Sequence, residues 1–436
     1  MADESPNRAM TTPDDDRHDV VIAGAGPAGG QCARDIAARG YDVVVLEAEQ
    51  EDGFPGPSNK STAGTFHSMM SAFQVPDTVV QNYTDNVVLE SPNSFYNRDH
   101  AGAVLDFAAF KRWLVDAARE EGAEVRFGAR VSKPILENGE IVGVRYNGDE
   151  EIYGDIVVDA TGPSAPLAKE LDVSNLHRET QAIGIDYEVE GIDLDHRGYA
   201  DLTDSMMLRL DHDIAPGGYS WIFHTGGDTA KVGVCYIQND RHREQAVDGM
   251  RIDDYMDRWL DDDPRFEDAY RPDDGNVLRG SAHIQMPGEL HTDNFMAIGD
   301  TVPSIDPLWG EGIHKGMKSG RVAAVAADYC LAGSTPDTSA ENIGVYDQLW
   351  HNEVAPNMHS RLMLTELLYL ARNERYDTLM NDLRRADGDV LAGANKGGKL
   401  DMAKLLHLSD VPLVAKWLKG RLKDPSGRWN PMAGLR

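Results

Sequence analysis

The stretch Asp19-Val-Val-Ile-Ala-Gly24-Ala-Gly26-Pro-Ala28-Gly29-Gly30 decides the fold class of this 436-residue chain. Asp19–Ala23 reads as a buried strand and 29–39 as the helix that follows. Tyr41–Leu46 reads as a second strand, closed by Glu47. Gly24, Gly26 and Gly29 fall at the Gly-x-Gly-x-x-Gly spacing. The first permits a tight turn, the second lets a pyrophosphate approach the backbone, and the third lets helix pack on strand. The free N–H groups of the helix start then face the phosphates. Glu47, 23 residues after Gly24, is placed to accept from ribose hydroxyls. Together these features give a dinucleotide-binding βαβ unit.

A second motif lies about 270 residues later, Phe295-Met-Ala-Ile-Gly-Asp300-Thr-Val-Pro-Ser-Ile-Asp-Pro-Leu-Trp-Gly310-Glu-Gly312-Ile313. Asp300, just after a strand, is placed to hold a ribityl hydroxyl. Pro307–Gly312 enters a helix with little side-chain bulk. That aims positive backbone dipole at a flavin pyrimidine edge, where reduction leaves negative charge. Two grips so far apart in sequence imply a long cofactor lying across the domain, FAD rather than a loosely held NAD. No second glycine fingerprint marks a dedicated NAD(P)H domain. The electron donor is therefore left open between NADPH, a ferredoxin and a deazaflavin system.

The expected fold class is α/β: a Rossmann-like FAD-binding domain interrupted by an α+β substrate lobe built on an antiparallel sheet, with a helical C-terminal region. Residues 1–16 read as a disordered acidic arm. Residues 17–165 and 291–333 read as the discontinuous FAD domain, and 166–290 as the sheet domain, to which a loop-rich stretch, 53–98, contributes. Residues 334–436 read as helical. The net charge of −31, with only 13 lysines among 42 basic residues, resembles the acidic surfaces of salt-in halophile proteins. It argues against a nucleic-acid partner, because phosphate contact needs a basic face. Cys32, Cys235 and Cys330 are scattered, giving neither a disulfide framework nor a zinc site. No signal peptide and no membrane-length apolar run is read, so the expected location is cytoplasmic, on or near the inner face of the cell membrane.

Order and spacing resemble the flavoproteins grouped with p-hydroxybenzoate hydroxylase, and more closely their geranylgeranyl reductase branch. Asp159-Ala-Thr-Gly162-Pro-Ser164 resembles the group's mid-chain strand-end motif. Pro216-Gly-Gly-Tyr219-Ser-Trp221-Ile-Phe-His224, followed by Lys231-Val-Gly-Val234, is similar to the branch's Tyr-x-Trp-x-Phe-Pro signature. The resemblance implies FAD contacts at Gly24, Gly26, Ala28, Gly29, Glu47, Val131, Gly162, Asp300, Gly310, Gly312 and Ile313, with Val131 acting through its backbone at the adenine. It implies that Tyr219 and Trp221 line a lipid cavity beside the ring. The chain departs from the pattern in three places. His224 replaces the signature's Pro, and Phe107 stands where an Arg is usual, with Arg112 nearby. Ser61 or Thr62 stands where a Cys is expected, next to Lys60.

The implied activity is hydrogenation of isolated double bonds in the geranylgeranyl chains of archaeal ether lipids. Hydride goes to one alkene carbon while a proton reaches the other, and Tyr219, His224 or a water are the candidate donors. A long apolar tunnel is expected to hold the chain. Reduction of a menaquinone side chain would use the same residues. Aromatic hydroxylation or halogenation, and a non-catalytic flavin redox sensor, are readings from other classes. Six lysines, Lys396, Lys399, Lys404, Lys416, Lys419 and Lys423, interleave with Leu405, Leu406, Leu408, Val411, Leu413, Val414, Trp417 and Leu418. This points either to a surface resting on anionic membrane or to a helical tail with a solvated lysine face.

Overall fold

A computed structural model describes residues 16–56, 61–242, 244–272 and 277–423. Lys60 and residues 1–15 of the acidic arm lie outside them.

Two sheets organise the chain. In the first, Arg17–Ala23 lies between Val43–Leu46 and Glu150–Asp159, and all three run parallel. Phe295–Ala297 adds in parallel beyond Glu150–Asp159, and Glu124–Arg126 beyond Val43–Leu46. Their apolar runs are buried outright, as expected of parallel strands covered on both faces. The helices Pro27–Ala37 and Ile313–Leu331 meet backbone to backbone. A Cβ on Gly320 would overlap the Ala28 carbonyl, so the contact requires glycine. Glu150–Asp159 is longer than the short strand expected over 156–160. It also carries a meander through Glu140–Tyr146 and Val131–Glu137.

The second sheet runs Leu278–His283, Gln181–Glu190, Thr229–Ile237, Gly218–Gly226, Ser205–Arg209, Val80–Ser91, Ser94–Leu105 and Gly64–Phe66. It is antiparallel except where Ser205–Arg209 runs beside Val80–Ser91. Its last three strands come from the stretch read as loop-rich. Residues 80–105 instead form a hairpin of two twelve-residue strands closed by Pro92 and Asn93. One face of this sheet packs on the helix Ile252–Asp262 through Ile185, Tyr187, Ile222 and Val232 against Tyr255, Met256 and Trp259. Its other face carries Tyr219, Trp221 and Phe223 toward the parallel sheet. Buried ion pairs fasten the hairpin to the lobe, with Glu90 accepting from Arg265 at 3.0 Å and from Arg209. Helices from 340 to 423 complete the fold.

Candidate active site

The glycine loop separates two jobs. Gly24 has φ +100°, and a Cβ there would sit 2.6 Å from the Ala160 carbonyl oxygen. A Cβ on Gly29 would overlap the Gly24 carbonyl and lie 3.0 Å from Ala160 Cβ. These two positions are closed by their own protein. Gly26 caps the helix in extended backbone (φ −70°, ψ −178°) with no atom within 4 Å of where a Cβ would stand. That opening faces a cavity of about 800 Å³. Glu47 is buried at its rim. Its carboxylate accepts from Ala25 N at 2.9 Å and Glu49 N at 3.0 Å, so it braces the loop as well as facing the cavity.

The same cavity is lined by Ala28, Val131, Gly162, Asp300, Gly310, Gly312 and Ile313, and by Tyr219 and Trp221 from the second sheet. Gly29 supports the loop from behind rather than lining it. Asp159 serves the fold, since its carboxylate accepts from Thr161, Leu167 and Ala168 N. Among the described residues the Asp300 carboxyl meets only Ser304 Oγ, at 3.5 Å, and burial pushes it up to about 6. A buried carboxyl with one long contact is short of donors, as a site for a polyol hydroxyl should be.

Gly310 (φ +64°) brings the Pro307–Gly312 loop against the Tyr219 hydroxyl, where any Cβ would collide. Asp306 holds this loop, accepting from Leu308 N at 3.0 Å, Trp309 N at 3.2 Å and Arg361 Nη2 at 2.6 Å. Beyond Tyr219 lies a second cavity of about 160 Å³, lined by Phe66, Val87, Met206, Leu208, Phe223 and Trp309. Ser61, Tyr219, Trp221, Gly310, Gly312 and Ile313 line both cavities. Its volume suits a short stretch of hydrocarbon, not the long tunnel expected. Trp221 lies over Gly233, whose missing side chain makes room for the indole, and donates through Nε1 to Asp186 at 2.9 Å. Asp186 also accepts from Thr62 Oγ1 at 2.6 Å, and burial raises its carboxyl to about 6. Of the two residues standing for the expected Cys, Ser61 lines both cavities, and Thr62 lines the small one with its hydroxyl committed to Asp186.

His224 does not join them. Strand alternation turns it to the face of Ser220 and Ile222. There Nδ1 lies 3.2 Å from Asn82 Nδ2, and Nε2 lies 3.1 Å from Gly227 O. It touches neither cavity, so it is removed as a proton-donor candidate.

Comparison with known proteins adds sequence evidence to this geometry. Residues 19–171 match the FAD dependent oxidoreductase family, and 183–270 match the geranylgeranyl reductase catalytic domain. The chain is 66% identical over 404 residues to a digeranylgeranylglycerophospholipid reductase of Haloferax volcanii, covering 93% of this chain and 98% of the relative. The chain belongs to the geranylgeranyl reductase family. A second relative of the same description, from Methanopyrus kandleri, is 28% identical over 93% of this chain and 99% of its own. Among solved structures, a geranylgeranyl bacteriochlorophyll reductase-like protein of Thermoplasma acidophilum superposes with a TM-score of 0.77. Its identity is 20%, over 90% of this chain and all of that one. A flavin-dependent brominase superposes at 0.66 with 20% identity, over 94% and 100%. At such identities these two likenesses speak for the fold alone.

As a geranylgeranyl reductase family member the chain is an FAD-dependent oxidoreductase, and the large cavity fits that cofactor. It offers the open Gly26 edge for a pyrophosphate and carboxyls at Glu47 and Asp300. Lys111 is a cation that the sequence reading missed. It lines the cavity 2% exposed, with Nζ 4.4 Å from the Phe54 ring centre, and burial lowers its pKa. Phe107, where the family's Arg is usual, is one turn earlier on the same helix face, and i, i+4 spacing was the available signal. Arg112 turns away and donates to Phe54 O at 3.0 Å. Asp186 was also missed, as was Cys235. The latter pairs with Tyr219 across the strands, lines the large cavity, and has its thiol pushed up to about 12 by burial.

Proposed function

We propose that this chain hydrogenates the isolated double bonds of geranylgeranyl chains in archaeal membrane ether lipids. Reduced FAD supplies the hydride. The observation that carries the reading is the small apolar cavity, which shares Tyr219, Trp221, Gly310 and Gly312 with the cofactor cavity. Flat rings there hold one prenyl segment beside the cofactor and keep water away, which places alkene and hydride source in reach of each other. A cavity of about 160 Å³ takes one segment at a time. A chain with several double bonds must then slide for each to be reduced. The residues that hold FAD on this reading are Gly24, Gly26, Ala28, Gly29 through its backbone N–H, Glu47, Val131, Gly162, Asp300, Gly310, Gly312 and Ile313, with Lys111 as the cation of the cavity.

The test offers the reduced protein, without oxygen, an ether lipid carrying geranylgeranyl chains, a menaquinone, or a small aromatic. Flavin reoxidation by the ether lipid should be the fastest. Reoxidation by menaquinone alone would move the substrate to quinone side chains, and indifference to all three would refute the reading.

Peripheral membrane contact belongs to the same proposal. Leu400 and Leu408 are 82% and 93% exposed, and Leu406, Val411 and Leu418 are exposed beside them. Leu413, Val414 and Trp417 turn inward, and Trp417 donates to the buried Glu366. Lys396, Lys399, Lys404, Lys416 and Lys419 flank the outward leucines in a chain otherwise strongly acidic. Apolar side chains ringed by lysine suit an anionic lipid surface. The patch adjoins the site, because Trp309 donates to Asn395 Oδ1 at 2.8 Å. No helix among the described residues is long and apolar enough to cross a membrane. Co-sedimentation with anionic vesicles should be lost in a Leu400→Ser/Leu408→Ser variant. Equal sedimentation of variant and parent would contradict this contact.

A further inference from the structure

We propose that Glu311 is the acid that protonates the alkene, with His314 as the relay that restores its proton; this rests on the reductase reading above. Hydride addition to an unactivated alkene needs a proton at the other carbon almost in step, so some group in the prenyl cavity must supply one. Glu311 is the single carboxyl among the described residues lining the small cavity, and it stands between Gly310 and Gly312 on the loop that both cavities share.

The other protic groups there are committed or far weaker acids. Thr62 Oγ1 and Trp221 Nε1 donate to Asp186, and Trp309 Nε1 donates to Asn395. Ser61 Oγ accepts from Ala63 N at 3.2 Å and is an alcohol. Tyr219 is a phenol, an acid weaker than a carboxyl by about six pKa units. Burial makes it weaker still.

The surroundings of Glu311 are built for proton transfer. His314 Nδ1 lies 3.3 Å from Glu311 Oε1, one helical turn on, and both side chains are nearly buried. Among the described residues His314 Nε2 and Glu311 Oε1 have no hydrogen-bond partner, so the Nδ1–Oε1 approach is a close ion-pair contact that a small turn of either side chain makes a hydrogen bond. The imidazole packs edge-on to Phe73, 5.9 Å between ring centres. The other charged or titratable groups facing Glu311 are His100, on the strand Ser94–Leu105, and Lys315, which donates to Val354 O and lies 3.9 Å from Asp306.

The step balances as follows. The π pair of the alkene takes the carboxyl proton of Glu311 to form one C–H bond. The neighbouring carbon, left electron-poor, takes the hydride to form the other. Glu311 is left as carboxylate, which faces the developing positive charge, and regains a proton that comes from bulk water between turnovers, His314 giving one from Nδ1 as Nε2 takes one up. The alkene is reduced by two electrons and the cofactor is oxidised by two.

The test has two readouts on the holoenzyme. In the first, flavin is reduced without oxygen and mixed with geranylgeranyl ether lipid. Glu311→Gln should slow lipid reduction by about 10²–10⁴-fold, the range for a lost general acid, while still binding and reducing FAD. Glu311→Asp, shorter but acidic, should recover part of that loss. In the second, the oxidised holoenzyme, which cannot turn over, binds a prenyl amine whose ammonium replaces an alkene carbon. Glu311→Gln should bind it roughly tenfold more weakly, with affinity for the neutral prenyl alcohol unchanged. Lipid reduction within a few-fold of the parent in Glu311→Gln would overturn the assignment. So would a slowed variant whose ammonium binding is unchanged, since that marks a structural role. A parent protein that fails to reduce the lipid would instead count against the reductase reading itself.

Discussion

Gly26→Val separates holding the cofactor from holding the fold. At Gly26 the backbone is extended, which any residue adopts, and a Cβ meets no protein atom within 4 Å. The protein itself therefore loses only a glycine cap exchanged for a poor one, about 1 kcal/mol. In a chain of this size that moves the melting point by no more than about 4 °C. The cofactor loses far more. Pro27 has no N–H, and Gly30 N already bonds Gly26 O at 2.8 Å. The first turn thus offers a phosphate the N–H groups of Ala28 and Gly29, and the valine stands in front of them. Two hydrogen bonds to a charged group at about 1.5–3 kcal/mol each amount to roughly 10²–10⁴-fold in affinity. The assay is flavin content per chain after gel filtration in high salt, with thermal unfolding of FAD-stripped parent and variant. A colourless variant that melts like the stripped parent is expected. A variant that keeps one FAD per chain would refute the placement of the pyrophosphate, and one that is unfolded when stripped would refute the free-space argument. Gly24→Val is the contrast, since φ +100° and the 2.6 Å approach to Ala160 O should cost it the fold.

Trp221→Ala should keep FAD and lose most lipid reduction, read as flavin reoxidation by lipid; normal turnover would remove Trp221 from the pocket. Lys111→Met should weaken FAD binding by about tenfold, roughly 1.4 kcal/mol, while raising the stability of the stripped protein by removing a buried cation; calorimetric titration reads the first and thermal unfolding the second. Asp186 makes stability depend on pH. Its folded pKa of about 6 lies above the ordinary 3.8, so folding is favoured while it is protonated and its contribution is lost as pH rises from about 4 through about 6. The difference is about 3 kcal/mol; Asp300, likewise raised to about 6, adds a slope in the same window, so Asp186→Asn should cut the slope of a melting-point series by about half, and an unchanged slope would mean that Asp186 does not contribute to it.

What the sequence disclosed, and what it hid, follows from backbone and burial. The glycine loop and the Gly299–Gly312 block leave a trace because close approach and positive φ admit few residue types. The hairpin over 80–105 looks like loop in the sequence because its outer half is polar (Asp85, Asn97 and Asp99 among them) and its turn is Pro92-Asn93 rather than the Asn-Gly type that signals a hairpin. Asp186 hid for a related reason. Alternation puts Ile185, Tyr187 and Val189 in the core and sends Asp186 to the other face, which in an isolated sheet meets water. Here that face is covered by Trp221 and the cofactor domain, so the carboxyl is buried. His224 misled because it sits within the signature, yet its place in the strand turns it away. Lys111 left only its i, i+4 spacing from Phe107 as a signal, and Glu311 needed the three-dimensional cavity to be seen.

The most direct test of the central claim is mass spectrometry of the lipid. Protein purified in high salt is reduced with dithionite in the absence of air, given geranylgeranyl ether lipid, and the lipid is extracted as the flavin reoxidises. A ladder of products, each richer by two hydrogens per double bond, is the expected result. Lipid recovered unchanged, from a reduced flavin that instead reacts quickly with oxygen, would contradict the reductase account and favour hydroxylase or halogenase chemistry on the same fold.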